Sequence, residues 1–131
     1  MKGIDTNILV RFLVGDDTKQ ANKVYKLFKE TEDNIEELHV PIIVLIEAIW
    51  VLESVYKTER NELINLLSEL ILMPIFKFEN LNAIQKFVPE ALSSKFDLSD
   101  LLIAQTASLH GCTTVITFDK KASKHKLFSI L

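Results

Sequence analysis

The chain has 131 residues, a length that suits one domain with a single core. Its net charge of −3 excludes the overall positive field that announces nucleic-acid binding, and no apolar run approaches the roughly 18 residues of a membrane span. The single cysteine excludes a disulfide framework and a cysteine metal cluster, and the N-terminus lacks the apolar core of a signal peptide, so we expect a cytoplasmic protein.

Polar breaks divide the first half of the chain into short strands and longer helices. Residues 2–4 form an apolar start that ends at Asp5, and the apolar spacing after it predicts a helix with Asn7 as its cap. Residues 15–17 break this helix, and Thr18 is the predicted cap of a second helix that extends to about residue 31. The acidic residues between positions 30 and 37 predict a solvated loop. We expect a strand over residues 38–40, and Pro41 fits the first turn of an apolar helix that extends to about residue 57.

The second half of the chain continues this alternation. A helix over about residues 59–72 precedes a strand over residues 75–78, and Asn80 can cap the next helix, which Pro89 should interrupt or end. Residues 97–110 predict another helix with Gly111 as its C-cap, residues 113–118 are the clearest strand, and a short helix and a strand over residues 127–131 follow. We expect Cys112 to be a small buried residue. The histidines lack the spacing of metal ligands, and we expect surface or loop positions for all three: His39, His110 and His125.

Short apolar strands that alternate with longer helices predict an α/β fold with a mostly parallel sheet. Because the chain has no repeat, linker or low-complexity segment, we expect one compact domain over residues 1–131. Its hydrophobic content of 48 % indicates either a well-filled core or an apolar surface that a partner covers.

The most apolar stretch of the chain, residues 40–52, contains one acid, Glu47. A carboxylate among bulky apolar side chains is expensive to bury unless something pairs with it, and no basic residue lies nearby in the sequence. Its partner must therefore come from elsewhere in the chain or from solution, and a metal ion is a candidate.

Four other acids lie where a parallel sheet would place a site. Asp5 and Asp119 follow predicted strands, and sites of open parallel sheets form beyond the carboxyl ends of the strands. Asp97 and Asp100 open a predicted helix at i, i+3 spacing, on neighbouring positions of its surface. Each of the four also has a structural role open to it: a helix cap for Asp97, a helix-dipole acid for Asp100, and turn or capping chemistry for Asp5 and Asp119.

Converging carboxylates repel one another, so they must be partly protonated or share a cation. Carboxylate oxygens with few histidines or cysteines favour Mg²⁺ or Mn²⁺ over zinc. Such an ion lowers the pKa of a bound water and neutralises charge on phosphate oxygens, which is the chemistry of phosphodiester hydrolysis. The residue types do not fix whether one or two ions are used.

Four motifs resemble those of the PIN-domain family, and more narrowly those of the toxin ribonucleases in VapBC toxin–antitoxin pairs. Each is weak alone, but together, in this order and at these separations, they are specific, and the resemblance covers essentially the whole chain. They are Asp5-Thr6-Asn7, Val44-Leu45-Ile46-Glu47, the stretch from Asp97 to Ala104, and Thr117-Phe118-Asp119.

The resemblance implies a three-layer α/β fold with a central, mostly parallel sheet flanked by helices, and endoribonuclease activity that depends on Mg²⁺ or Mn²⁺. In the family's pattern the core acids are Asp5, Glu47 and Asp100, and Asp119 is the fourth. Asp97 matches an acid found in only part of the family, so it is either a metal ligand or a helix cap.

Two polar positions of the family's pattern, which hold the carboxylates by hydrogen bonds, are matched by Asn7 and Thr117. The resemblance also implies an RNA substrate, a homodimer, and a cognate antitoxin that covers the acidic groove. We expect contacts to RNA phosphates from three lysines of the basic cluster near the C-terminus, Lys120, Lys121 and Lys124, and also from Arg11.

Three other functions remain open from the sequence. A phosphomonoesterase of the haloacid-dehalogenase type also starts from an Asp after the first strand, but it needs a second Asp where this chain has Asn7. A PIN-like module that only binds RNA or protein predicts degraded acids, whereas this chain keeps them. An RNA-maturation nuclease would use the same residues as a toxin.

Overall fold

The computed structural model describes all residues from Met1 to Leu131 and contains six α-helices and five short strands. The chain folds as two compact units, Met1–Glu79 and Asn80–Leu131. No helix combines the length with the apolar content that crossing a bilayer requires. The interpretation of the chain as one domain stays a prediction.

The first unit is a three-stranded parallel sheet with four helices. The sheet has the order β1-β2-β3, with Lys2 opposite Leu38 and Leu38 opposite Phe76. Helix α1 packs against α2 and α3, and the largest fully buried side chains of this unit are leucines and isoleucines of the helices and of β2. Its elements are β1 (Lys2–Gly3), α1 (Thr6–Val14), α2 (Thr18–Asp33), β2 (Leu38–Val40), α3 (Ile42–Ser54), α4 (Arg60–Leu70) and β3 (Phe76–Phe78).

The second unit is built on a helix pair and a two-stranded parallel sheet. Helices α5 and α6 pack against each other, and Val115 of β4 lies opposite Phe128 of β5. A small buried cluster joins Ala104 of α6 to Ala122 and Phe128. Its elements are α5 (Leu81–Ser93), α6 (Leu98–Leu109), β4 (Val115–Thr117), a 3₁₀ turn (Ala122–Lys124) and β5 (Phe128–Ile130).

These elements confirm the predicted α/β fold with parallel strands, but two predicted caps were wrong by a short distance. Helix α1 is capped by Asp5, whose Oδ1 accepts a hydrogen bond from the Ile8 amide at 3.1 Å, and not by Asn7. Helix α2 is capped by Asp17, and Thr18 is its first helical residue. In both places an aspartate lies shortly before the predicted cap, Asn7 or Thr18. The short carboxylate of this aspartate accepts a hydrogen bond from the amide three residues ahead.

The prediction that Pro89 interrupts its helix was also wrong, because α5 continues through it to Ser93. A proline inside a helix removes one backbone hydrogen bond and crowds the preceding turn. Here Phe87, Val88 and Ala91 are buried on either side of it, and this apolar packing offsets the loss.

The prediction for Cys112 was wrong as well, and the prediction for His125 was only half right. Cys112 is exposed, because it follows the turn that ends α6 at Gly111, where φ is +87°. His125 lies in a loop after the 3₁₀ turn, as predicted, but it is buried with 5 % of its surface exposed, and its Nε2 lies 3.0 Å from Oε2 of Glu90. That partner is far away in the sequence, so no local pattern indicated it.

Candidate functional site

Asp5 follows β1 and opens α1. Its exposed carboxylate uses Oδ1 to cap the helix, which leaves the second oxygen for a ligand. The backbone around it is extended, with φ −98° and ψ 179°, because the chain passes there from strand to helix. Capping and ligand binding are therefore compatible roles for this one side chain.

Glu47 lies on the exposed side of α3, which corrects the expectation of a buried carboxylate. One face of this helix is buried, including Leu45, Ala48 and Ile49, whereas Glu47 shares the outer face with exposed apolar side chains. Because α3 is apolar nearly all round, its sequence could not show which face turns to solvent.

The structure joins Glu47 to the start of α1. The hydroxyl of Thr6 donates a hydrogen bond to Oε2 of Glu47 at 3.3 Å, and Thr6 directly follows Asp5. Thr6 was not among the predicted site residues, although it stands inside the Asp5-Thr6-Asn7 motif. Asn7 itself is exposed and lines a cavity between α1 and α2.

Three acids of the second unit form one cluster. Asp97 caps α6 by accepting from the Asp100 amide at 3.1 Å, so its predicted capping role is confirmed, and its second oxygen remains for a ligand. Asp119 follows β4, and its Oδ1 accepts from the amides of Lys121 and Ala122 at 2.8 and 3.2 Å. The Asp119 amide in turn donates to the Thr117 hydroxyl at 2.9 Å, so Thr117 fixes the backbone at this acid.

The charges of this cluster act on Asp100. Partial burial raises the pKa of the Asp100 carboxyl, and the negative charges of Asp97 and Asp119 raise it further. No group of three or more His, Cys, Asp or Glu side chains has the arrangement of a finished metal-binding set. The donor chemistry nevertheless fits a hard divalent cation, because the donors are all carboxylate oxygens and a cation would relieve their repulsion.

The predicted cationic residues occupy different surroundings. The acid cluster lines a cavity of about 270 Å³, which Lys121 and Lys124 also line, together with Lys95, which the sequence did not indicate. Lys120 is exposed but does not line this cavity. Lysines beside carboxylates around an open cavity suit an anionic ligand that approaches a bound cation.

Arg11 is held in a network rather than extended to solvent. Its guanidinium donates to Oδ1 of Asp16 at 2.8 Å, to Oε1 of Gln20 at 2.7 Å and to the Tyr56 hydroxyl at 3.2 Å. The hydrogen bond with Tyr56 is the largest cause of the raised pKa of Arg11, and the charge of Asp16 adds to it. The network closes the turn after Gly15, which ends α1 with φ +67°.

The buried His125 anchors the segment that carries Asp119. The Leu127 amide donates to Nδ1 of His125 at 3.0 Å, so Nδ1 carries no proton and Nε2 donates to Glu90. The other oxygen of Glu90 accepts from Gln105 at 3.1 Å. These bonds tie the 3₁₀ turn to helices α5 and α6, and with it the residues that follow Asp119.

The chain matches a known protein family, and it also aligns with a known protein over most of its length. Residues 3–126 match the family described as "PIN domain". The chain is also 28 % identical, over 128 residues, to a protein of Aquifex aeolicus (strain VF5) described as "VapC ribonuclease", and the alignment covers 95 % of this chain and 91 % of that protein.

Proposed function

Because the chain belongs to the PIN-domain family, we propose that it is an endoribonuclease that uses Mg²⁺ or Mn²⁺ to hydrolyse RNA phosphodiesters. The observation that carries this proposal is the cluster of Asp97, Asp100 and Asp119, in which the pKa of Asp100 is raised, in a cavity that lysines also line. The similarity to the VapC ribonuclease of Aquifex aeolicus supports RNA as the substrate.

The proposal assigns the metal to four carboxylates of the family's pattern: Asp5, Glu47, Asp100 and Asp119. Asp97 caps α6 with one oxygen and is proposed to approach the metal with the other. Thr6 orients Glu47, and Thr117 holds the backbone at Asp119. Asn7 is proposed to support the carboxylates from the start of α1.

When bound, a divalent cation supplies an acidified water and neutralises charge on the phosphate in the transition state. The protein's own groups would fix the reacting geometry. Helix caps and hydrogen bonds fix the side chains of the acids before an ion binds, so little conformational entropy would be lost when the acids hold it. Lys121 and Lys124 are proposed to bind phosphates next to the scissile bond, with Lys120 at the rim of the cavity. Of the four predicted RNA contacts, that of Arg11 has the least support, because its guanidinium is already bound within the network around Asp16.

We further propose that the protein is the toxin of a toxin–antitoxin pair, that it forms a homodimer, and that a cognate antitoxin inhibits it in the cytoplasm. The similarity to the VapC ribonuclease of Aquifex aeolicus supports this assignment, and the single exposed cysteine suits a reducing compartment. A role in RNA maturation would use the same site, and the two roles differ in whether expression alone stops growth.

The proposal is tested by cleavage of structured RNAs with Mg²⁺, with Mn²⁺ and with a chelator. Asp5→Asn keeps the helix cap, since Asn caps as well as Asp, and Glu47→Gln keeps the length of the side chain. Each should lower kcat by at least about 100-fold, the usual scale for removing an electrostatic group from an active site. Glu62→Gln, which changes an acid in the first turn of α4, is the matched control and should cleave normally.

Undiminished cleavage by either site variant would overturn the metal assignment. Calorimetric titration of the purified protein with Mg²⁺ distinguishes a metal-dependent nuclease from a module that only binds RNA or protein, since such a module should take up no metal. RNA binding by the wild type without cleavage or metal uptake would replace the nuclease proposal with that module.

A further inference from the structure

A second cavity, of about 440 Å³, lies between α1 and α2 in the first unit and begins at Asp5. Asn7 and Ile8 line it from α1, and Lys23 and Val24 line it from α2. This volume lies in the range of about 300–1,000 Å³ in which proteins bind small organic groups. We call this cavity the α1–α2 groove.

We propose that the α1–α2 groove binds one nucleotide of the RNA next to the scissile bond, and that Lys23 contacts its phosphate. This inference rests on the proposed function, because it takes Asp5 to be part of the catalytic site. The groove combines an apolar floor, amide side chains and a cation, which together match a base, its polar edge and its phosphate.

Lys23 is the cation of this groove that can bind a phosphate. It is exposed, and none of the ion pairs of the structure includes it. Lys29, on the same helix, is instead paired with Asp33 at 3.1 Å. The charge of Arg11, which also lines the groove, is balanced by Asp16 at 2.8 Å. Of the two cations that line the groove, Lys23 on α2 is therefore the one with no paired carboxylate, and the carboxylate of Asp5 lies at the end of the groove that is assigned to the metal.

The amide of Gln20 is oriented by the Arg11 network. Its Oε1 accepts from Nε of Arg11 at 2.7 Å, so the amide oxygen faces the guanidinium and the NH₂ group is left to donate. Gln20 lines the groove, where that NH₂ group can donate to an acceptor on a base edge. Ile8 and Leu27 line the groove and are partly exposed, so they offer the apolar surface on which a base can lie, whereas Val24 beneath them is buried. Arg11 is thus a positioning residue here and not a phosphate ligand.

The test measures RNA binding in an Asp100→Asn background, where the substrate is not consumed, and KM and kcat in the otherwise wild-type protein. Lys23→Ala should weaken RNA binding by about three- to tenfold and lower the slope of log Kd against log salt by about 0.7, the value for one contact to single-stranded RNA. It should raise KM and leave kcat near that of the wild type. Lys26→Ala is the matched control, because Lys26 is an exposed lysine of the same helix that does not line the groove.

A second measurement identifies the phosphate. Each phosphodiester that flanks the cleavage site is replaced in turn by a neutral methylphosphonate. At one position the replacement should weaken binding to the Lys26→Ala control but not to the Lys23→Ala protein, because the lost contact is already absent there. If no position couples to Lys23, or if Lys26→Ala has the same effect as Lys23→Ala, the groove does not bind RNA, and a protein segment becomes its occupant.

Failure of the groove and failure of the proposed function are distinguishable. A wild type that cleaves RNA while Lys23→Ala matches the control overturns the groove alone. A wild type that neither binds nor cleaves RNA overturns both.

Discussion

Replacement of Asp100 by Asn should separate stability from activity. Asp100 is half-buried, and its pKa is raised first by burial and then by the charges of Asp97 and Asp119. A carboxyl whose pKa is higher in the folded state than in the unfolded state stabilises the fold only at acid pH, and that contribution is lost as the pH rises through the folded-state pKa. At neutral pH the ionised Asp100 therefore opposes folding, and Asn removes this penalty.

Burial of Asp100 is the first part of this penalty, and the positions of the neighbouring charges set the size of the second part. Residues at i, i+3 on a helix have Cβ atoms about 5–6 Å apart, where two charges at an effective dielectric of 20 repel by roughly 3 kcal/mol. Since these carboxylates face solvent in part, screening reduces this to about 0.2–1 kcal/mol for each pair. Asn also forfeits the favourable interaction of an acid with the first turn of α6, about 0.3–1 kcal/mol. The net change in the free energy of unfolding without metal should stay within about 1 kcal/mol.

Mg²⁺ should stabilise the wild type against unfolding but should stabilise Asp100→Asn much less. A ligand at 100 times its Kd stabilises the folded state by about 2.7 kcal/mol. Urea denaturation at neutral pH should show this increase for the wild type and for the control Glu62→Gln, but little of it for Asp100→Asn, which should also lose cleavage activity. A variant that Mg²⁺ stabilises as strongly as the wild type would refute the role of Asp100, and a loss of more than about 2 kcal/mol without metal would refute the electrostatic reasoning.

Two further predictions concern polar networks outside the acid cluster. His125→Ala removes a buried partner of Glu90 and should lower the free energy of unfolding by about 2–4 kcal/mol in urea denaturation, whereas the exposed His110→Ala should change it by less than about 0.5 kcal/mol. Tyr56→Phe removes the hydrogen bond that is the largest cause of the lowered pKa of Asp16, so an NMR titration should show that pKa rise towards its ordinary value, and an unchanged titration would contradict the assignment. A carboxyl whose pKa is lowered in the folded state stabilises the fold above its unfolded-state pKa, and this stabilisation is lost as the pH falls. The free energy of unfolding of Tyr56→Phe should therefore depend less on pH in the acid range than that of the wild type.

The order of the helices and strands could be predicted because the signals for it are local. Pro41 and Gly111 mark helix ends through their own backbone preferences, and the β-branched residues after Gly111 indicate a strand. The caps could not be resolved as well, since Asp5 and Asp17 each stand next to other polar residues that cap helices nearly as well.

The surroundings of the site residues were less predictable, because they depend on contacts between distant parts of the chain. The hydrogen bond from Thr6 to Glu47 spans 41 positions, and the contact of His125 with Glu90 spans 35. The types and order of the acids could be read from the sequence and indicated a metal-dependent chemistry. The exposure of Glu47 could not be predicted, because it depends on which face of the apolar helix α3 packs inward.

The exposed face of α3 also gives the protein a built-in optical reporter. The chain has a single tryptophan, Trp50, which is 61 % exposed and lies three residues after Glu47, on the same side of the helix. Its fluorescence comes from one known place, so the emission spectrum reports the polarity around Glu47 with no second indole to confuse it. An ion, an RNA or a protein that covers this face changes that emission, and the occupancy of the site can be followed in the unlabelled wild-type protein.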